Sequence, residues 1–356
     1  MKVVRDLSVT SAPYRRGSSG QNPWDEAWIS PTTATRPNLV LDFVAGAFGS
    51  GGYPDSFDNI VDFARPTDAT FVNSGGVIET ALPGIARFTH DPISFAQVGL
   101  LLEETRQNIL LGSDLPMDQS VTVTSSPYVL TFYGDGDVIL GGAHVATVSG
   151  LGSYPMRRSY EFSSQNGTLN LTFQGNVTAA QLESGAQGSS FISTGAGPVS
   201  RGSDAATVAV GTWFDPSKGT FVFGGHLDGA DANDRVIDID DGSSGSRLTL
   251  LWNTVLGQPQ FQVWNAGALQ TAIAAPSNAV AFGDPFRVAI AYSNDDFAIS
   301  LNGSSTTNDT TGSIPANLSA LRIGRAIGGA QGLMTAESVV YYPERLDDSE
   351  LQAISS

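Results

Sequence analysis

Short apolar runs closed by glycine recur from Leu39 to Tyr342, and this punctuation constrains the fold more than any single motif. Ser120-Val121-Thr122-Val123-Thr124 alternates strictly, which turns every second side chain to one face of a strand. Runs such as Tyr128–Tyr133, Asp137–Leu140, Arg247–Trp252 and Gln260–Trp264 are too short for ordinary helices and are bounded by turn residues. The 40 glycines are spread between such runs rather than clustered. Asn166-Gly167 and Asn302-Gly303 are hairpin signals. The chain is expected to be all-β, with one short helix near its end. There Asp347 precedes Glu350 by the three residues of a capping box.

The order of these runs divides the 356 residues into four parts. Residues 1–40 lack any period and read as an extended anchoring arm, with Trp24 and Trp28 as its candidate anchors because large aromatics carry interface energy. Residues 41–114 read as a connector. It holds a hairpin around Asn73-Ser74-Gly75-Gly76 and a helical turn beginning near Glu103. Residues 115–203 form a first β-sandwich that ends in a Gly- and Ser-rich linker, and residues 204–356 form a second.

Charge and composition exclude several functions. The net charge is −17 and Lys2 and Lys218 are the only lysines, so a phosphate backbone or an anionic membrane finds no basic footprint. No cysteine is present, which removes disulfides, thiolate metal sites and cysteine nucleophiles. The first residues lack the apolar core of a signal peptide, and no apolar stretch is long enough for a transmembrane helix. A soluble chain made in the cytoplasm is the expectation.

Catalytic patterns are also missing, and no enzyme is expected. His90, His144 and His226 stand apart from any Gly-x-Ser-x-Gly elbow. Asp238-Ile239-Asp240 puts two carboxylates on one face of a strand, but no Glu-x-Asp precedes or extends the pair, so a polar sheet face is the plainer reading. Glu103, Glu104 and Arg106 read as a solvated or inter-subunit ion-pair cluster. Calcium is the one cofactor worth testing, with Asp228, Asp231, Asn233 and Asp234 as loop oxygens; otherwise none is expected. Sugar rings stack on aromatic faces, which makes Tyr133, Tyr154, Trp252 and Trp264 the glycan-binding candidates. The two tryptophans fall within expected strands, where core packing competes with that role.

The connector carries a resemblance. Phe63-Ala64-Arg65-Pro66-Thr67-Asp68-Ala69-Thr70-Phe71, Gly76-Val77-Ile78-Glu79-Thr80-Ala81, Arg87-Phe88-Thr89-His90-Asp91-Pro92 and Gly99-Leu100-Leu101-Leu102-Glu103-Glu104 follow one another in order. This order resembles a segment of bacteriophage and gene-transfer-agent fibre, spike and minor tail proteins. The first sandwich is similar to the carbohydrate-binding-module-like jelly roll of such fibres. The second resembles a laminin-G or concanavalin-A-like jelly roll, through Ile237-Asp238-Ile239-Asp240-Asp241-Gly242 and Val340-Tyr341-Tyr342-Pro343-Glu344-Arg345-Leu346. The resemblance implies a fibre or spike subunit on the virion surface. Its arm would hold other virion proteins, its modules a host surface glycan, and it would assemble as a trimer or, at a capsid vertex, a pentamer. A connector that binds only virion proteins, and a polysaccharide depolymerase, are the alternatives.

Overall fold

The structure is a computed structural model, and it describes residues 34–229, 234–276 and 280–356. It is all-β, with two short helices, one of them C-terminal. Every strand pairing is antiparallel. A ten-stranded sheet is built around Leu333–Tyr342, which pairs along its length with Lys218–Gly229. The other edge of Leu333–Tyr342 is shared by Leu39–Asp42 and Gln97–Leu102. A seven-stranded sheet runs in spatial order Ala268–Ala274, Gln258–Asn265, Arg247–Asn253, Arg235–Asp240, Ala320–Ile323, Ala205–Ala209 and Asp62–Ala64.

Alternation decides how these sheets meet. Val208, Ile237, Ile239, Leu248, Leu250, Trp252, Phe261 and Val263 face inward from the seven-stranded sheet. They pack on Leu39, Leu41, Phe221, Phe223, Ile290, Ile299, Val339 and Tyr341 of the ten-stranded sheet in one core. Burying a side chain of this size stabilises by about 1.5–3 kcal/mol, so the shared core dominates the larger sandwich. The C-terminal helix Asp348–Ile354 forms as the sequence indicates. Asp347 accepts from the Glu350 amide, and the Glu350 side chain accepts from the Asp347 amide. Leu351 and Leu346 then cover Val40, Val222, Ala289 and Val340 on the outside of the ten-stranded sheet.

The smaller sandwich packs Gln119–Val123, Gly167–Gln174, Asp137–Gly142 and Ala146–Ser149 against Arg158–Ser163, Pro127–Tyr133 and Thr178–Ser184. Leu130, Phe132, Val138, Leu140, Leu169, Leu171 and Leu182 fill its core. The chain enters and leaves it through Arg106–Asn108 and Val199–Arg201, which pair with each other. The helical turn expected from Glu103 is therefore a strand, because its backbone finds a partner ninety residues on. Parts of the expected arm and connector belong to the larger sandwich instead. Leu39–Asp42, Gln97–Leu102 and Asp62–Ala64 complete its two sheets. The smaller sandwich is thus an insertion within the larger one, not the first of two beads. Trp24 and Trp28 lie outside the described residues.

The two sandwiches meet at a buried ionic hub. Arg87 is fully buried and bonds Glu103 at 2.7 Å and Asp204 at 2.5 Å. Arg65 reaches Asp204 at 3.2 Å, and Arg201 reaches Glu103 at 2.8 Å. Glu103 also accepts from the Ser190 amide and hydroxyl, both at 2.7 Å. Burial alone would raise the Glu103 carboxyl, but the Arg201 and Arg87 guanidiniums and the Ser190 bonds bring it down to about 2. The cluster read as solvated is divided: Glu103 sits inside the chain, and the Glu104–Arg106 pair stays nearer the surface.

Candidate functional site

The outer face of the seven-stranded sheet carries a second polar array, separate from that hub. Its origin is simple parity. Residues next to the inward Leu248, Leu250, Phe261, Val263, Ile237 and Ile239 must point outward. Register aligns them into rows. Thr207, Arg322, Asp238, Thr249 and Gln262 lie side by side across five strands. Asp240, Arg247 and Trp264 form the next row. Arg235, Leu251 and Gln260 form the row on the other side.

One strand supplies a ladder of hydrogen bonds. Gln260 Oε1 accepts from Asn253 Nδ2 at 3.1 Å and from Gln262 Nε2 at 2.8 Å. Gln262 Oε1 in turn accepts from Trp264 Nε1 at 3.1 Å. Trp264 is half-buried, with the Arg247 guanidinium 5.7 Å from its ring centre. Successive outward residues on a strand stand about 7 Å apart, so Gln260, Gln262 and Trp264 mark a line of about 13 Å. Amides that both donate and accept, beside an aromatic and planar guanidiniums, suit a ligand rich in hydroxyls.

Charge is concentrated at the centre of this face. Arg322 holds Asp240 through two bonds, Nε to Oδ2 at 2.6 Å and Nη2 to Oδ1 at 3.2 Å. Asp238 is fully buried, and neither of its carboxylate oxygens receives a hydrogen bond. Burial raises its carboxyl, Arg247 and Arg235 pull it down, Asp240 raises it, and the balance lies at about 6. The paired acids expected from Asp238-Ile239-Asp240 do share a face. Asp240 is occupied by Arg322 and Asp238 lies beneath the arginines, so the two do not form an accessible catalytic pair.

The other expected residues are placed elsewhere. Trp252 faces the core and packs on Phe282 and Phe286, at 5.7 and 6.0 Å between ring centres, which corrects its assignment as a glycan contact. Tyr133 is buried in the smaller sandwich and meets Tyr154 edge to face at 5.3 Å. The Tyr154 hydroxyl donates to Gly76 O at 2.7 Å, which ties that sandwich to the hairpin Ala69–Val72 and Ile78–Ala81. Trp264 alone of the four lies on the polar sheet face. Asp228 is half-exposed and 3.8 Å from His226, whereas Asp234 is buried. Asp231 and Asn233 lie outside the described residues, and among those described no three acidic or histidine side chains gather as metal ligands. An open cleft of about 370 Å³ at the neck is lined by Glu104, Thr105, Arg106, Gln107, Ser184 and Gly185. Its lining is polar backbone and one ion pair, without an exposed aromatic.

No protein-family description and no curated protein matches the chain. Solved structures similar to part of it include the CBM40 module of the Ruminococcus gnavus IT-sialidase. It is 17% identical over 40% of this chain and 84% of that one, with a TM-score of 0.35. The same module bound to α2,3-sialyllactose is 19% identical over 39% and 83%, with a TM-score of 0.34. Domain 4 of AbnA, an extracellular arabinanase of Geobacillus stearothermophilus in complex with arabinotriose, is 9% identical over 43% and 73%, with a TM-score of 0.35. Each likeness spans less than half of this chain, and the architecture given above rests on the strand pairing itself.

Proposed function

We propose that the chain is a glycan-binding protein that holds an extended saccharide across the outer face of its seven-stranded sheet. The amide ladder Asn253–Gln260–Gln262–Trp264 carries this reading. It presents donors and acceptors in a line on rigid strands, with an aromatic at one end, and that is the equipment for reading hydroxyls. Binding without hydrolysis is favoured because Arg322 occupies both oxygens of Asp240, which leaves no carboxylate free to pair with Asp238.

A finer reading adds the setting. The ordered motifs between Phe63 and Glu104 resemble phage and gene-transfer-agent fibre proteins, so the sandwiches would be displayed on a particle and bind host polysaccharide as a homo-oligomer. Multiple copies would turn weak single contacts into useful avidity.

A glycan array probed with the full chain tests the binding reading. Saturable binding that is lost in Trp264→Ala and Gln262→Ala chains of unchanged melting temperature supports it. Absence of binding to every glycan presented sinks it. Electron microscopy of particles labelled with antibody to the chain tests the setting, and unlabelled particles would remove it.

A further inference from the structure

We infer that the open edge of the strand Ile78–Ala81 pairs with the same strand of a second copy of this chain, making a two-fold dimer. The pairing is independent of glycan binding. Asn73 N donates to Val77 O, and with the register of the hairpin this makes Phe71–Glu79 and Ala69–Ala81 its hydrogen-bonded pairs. The alternate residues must then turn their backbone groups away from the hairpin. On the first strand those groups are met: Arg87 donates to Thr70 O, and His90 Nδ1 lies 3.4 Å from Val72 O. On the second strand, Ile78 and Thr80 each direct an N–H and a C=O outward. Among the described residues none of these four groups meets a partner. Leu82 O, further along that strand, is taken by Arg65.

Sheets commonly shield such an edge with lysine, proline or a bulge. This strand has none of them, and Glu79 is its only charge. Apolar side chains flank it at both ends, each more than half exposed. Val77 and Leu82 adjoin it in the chain, the Phe95 ring lies against Gly76 with Ile93 close by, and Ile85 N donates to Leu82 O. At about 150–250 Å² for a large side chain, they offer apolar surface of the order of 500 Å². With the strand backbone this approaches the ~800 Å² per partner of a stable pair. Asp91 spends a carboxylate oxygen on the Ile93 and Ser94 amides. On a chain of net charge −17, a surface this poor in charge is where another copy can approach. The open groups also fix the register. All four are used when Ile78 meets Thr80 of the second copy, with the axis passing beside Glu79. Glu79 then faces its own copy, which weakens the pairing. Asn73 Nδ2 donates to Glu79 Oε2 at 2.7 Å and draws that carboxylate toward its own turn.

Sedimentation of the full chain tests this, and a monomer–dimer equilibrium is expected between about 1 and 100 μM. Thr80→Pro removes an outward donor that no bond inside the hairpin uses, so it should weaken the dimer about tenfold or more at unchanged melting temperature. Glu79→Gln removes the facing charges and should tighten it about two- to fivefold. Glu79→Cys reads the register, because the native chain has no cysteine. Residues facing each other in a non-hydrogen-bonded pair have Cα atoms about 4.5 Å apart, within reach of a disulfide. Under a mild oxidant Glu79→Cys should form covalent dimers about tenfold faster than Ser125→Cys, which is exposed on the smaller sandwich. A chain that stays monomeric at the highest concentration overturns the inference, whatever else covers the edge. A dimer that Thr80→Pro leaves intact overturns it as well, since association then uses another surface. If Thr80→Pro fails to fold, the two Glu79 variants decide: equal cross-linking rates, or a dimer no tighter in Glu79→Gln, overturn the pairing. Glycan binding on the array stands or falls separately from all of these outcomes.

Discussion

Arg87 donates to four groups brought from four separate parts of the chain: Thr70 O, Glu103, Ser190 and Asp204. Replacing it with Met would leave two carboxylates buried without their shared cation. Arg87→Met should therefore cost about 3–5 kcal/mol in urea unfolding, whereas Arg106→Ala, which breaks a more exposed pair, should cost about 1 kcal/mol or less. Asp238 makes the opposite prediction. Its folded carboxyl lies at about 6, above its ordinary 3.8. Protonated Asp238 is compatible with the fold, so its favourable contribution is present below 3.8 and is lost as pH rises through 6. Asp238→Asn should be more stable than the native chain by roughly 1–3 kcal/mol at pH 7. That advantage should shrink toward zero near pH 4, as thermal melts across pH would show. An advantage over the native chain no larger at pH 7 than at pH 4 would contradict the burial argument.

At the scale of single strands, parity decides function. Trp252 and Trp264 lie on adjacent paired strands, and both look alike to a composition count. Trp252 shares the parity of Leu248 and Leu250 and enters the core; Trp264 opposes the parity of Phe261 and Val263 and leaves it. Trp252→Ala should cost about 3–5 kcal/mol of stability, and Trp264→Ala should cost little stability but abolish glycan binding. Chemical denaturation and calorimetry on both variants would separate the two effects. The strands carrying these residues were legible in the sequence, but the parity that separates Trp264 from Trp252 was not drawn from it. The all-β class, the hairpin around Asn73 and the capped C-terminal helix were legible too, because each rests on neighbours in the chain. The ionic hub was not legible, since Arg87 and Asp204 are 117 residues apart and nothing local marks them as partners.

For the whole molecule, the main departure from a linear reading is that the larger sandwich is discontinuous. Residues 204–356 by themselves lack Leu39, Leu41, Leu100 and Leu102, all fully buried in the shared core. Expressed alone, that segment should be insoluble or bind hydrophobic dyes, while the chain from residue 34 onward should melt cooperatively. A soluble, cooperatively folded 204–356 would show that the N-terminal strands are dispensable. The beads-on-a-string reading arose because each run was assigned to the run next to it. A strand in the middle of a large antiparallel sheet can take its partner from anywhere in the chain.

The pairing of Leu39–Asp42 with Ser338–Tyr341 sets a schedule for synthesis. As the chain leaves the ribosome, the inserted sandwich has all its strands by Ser184 and can close at once. The strand Leu39–Asp42 can pair at once with Ala47–Ser50 on one edge, but its other edge waits for Ser338–Tyr341. Leu39, Leu41 and Phe43 must therefore wait, with apolar faces open, through the translation of the residues between the two strands. At roughly 5–20 residues per second this interval is tens of seconds, long enough for chaperone capture or for encounter with a second nascent chain. The rate of the final closure, rather than the depth of the finished core, would then govern how much of this protein reaches its native state in a cell.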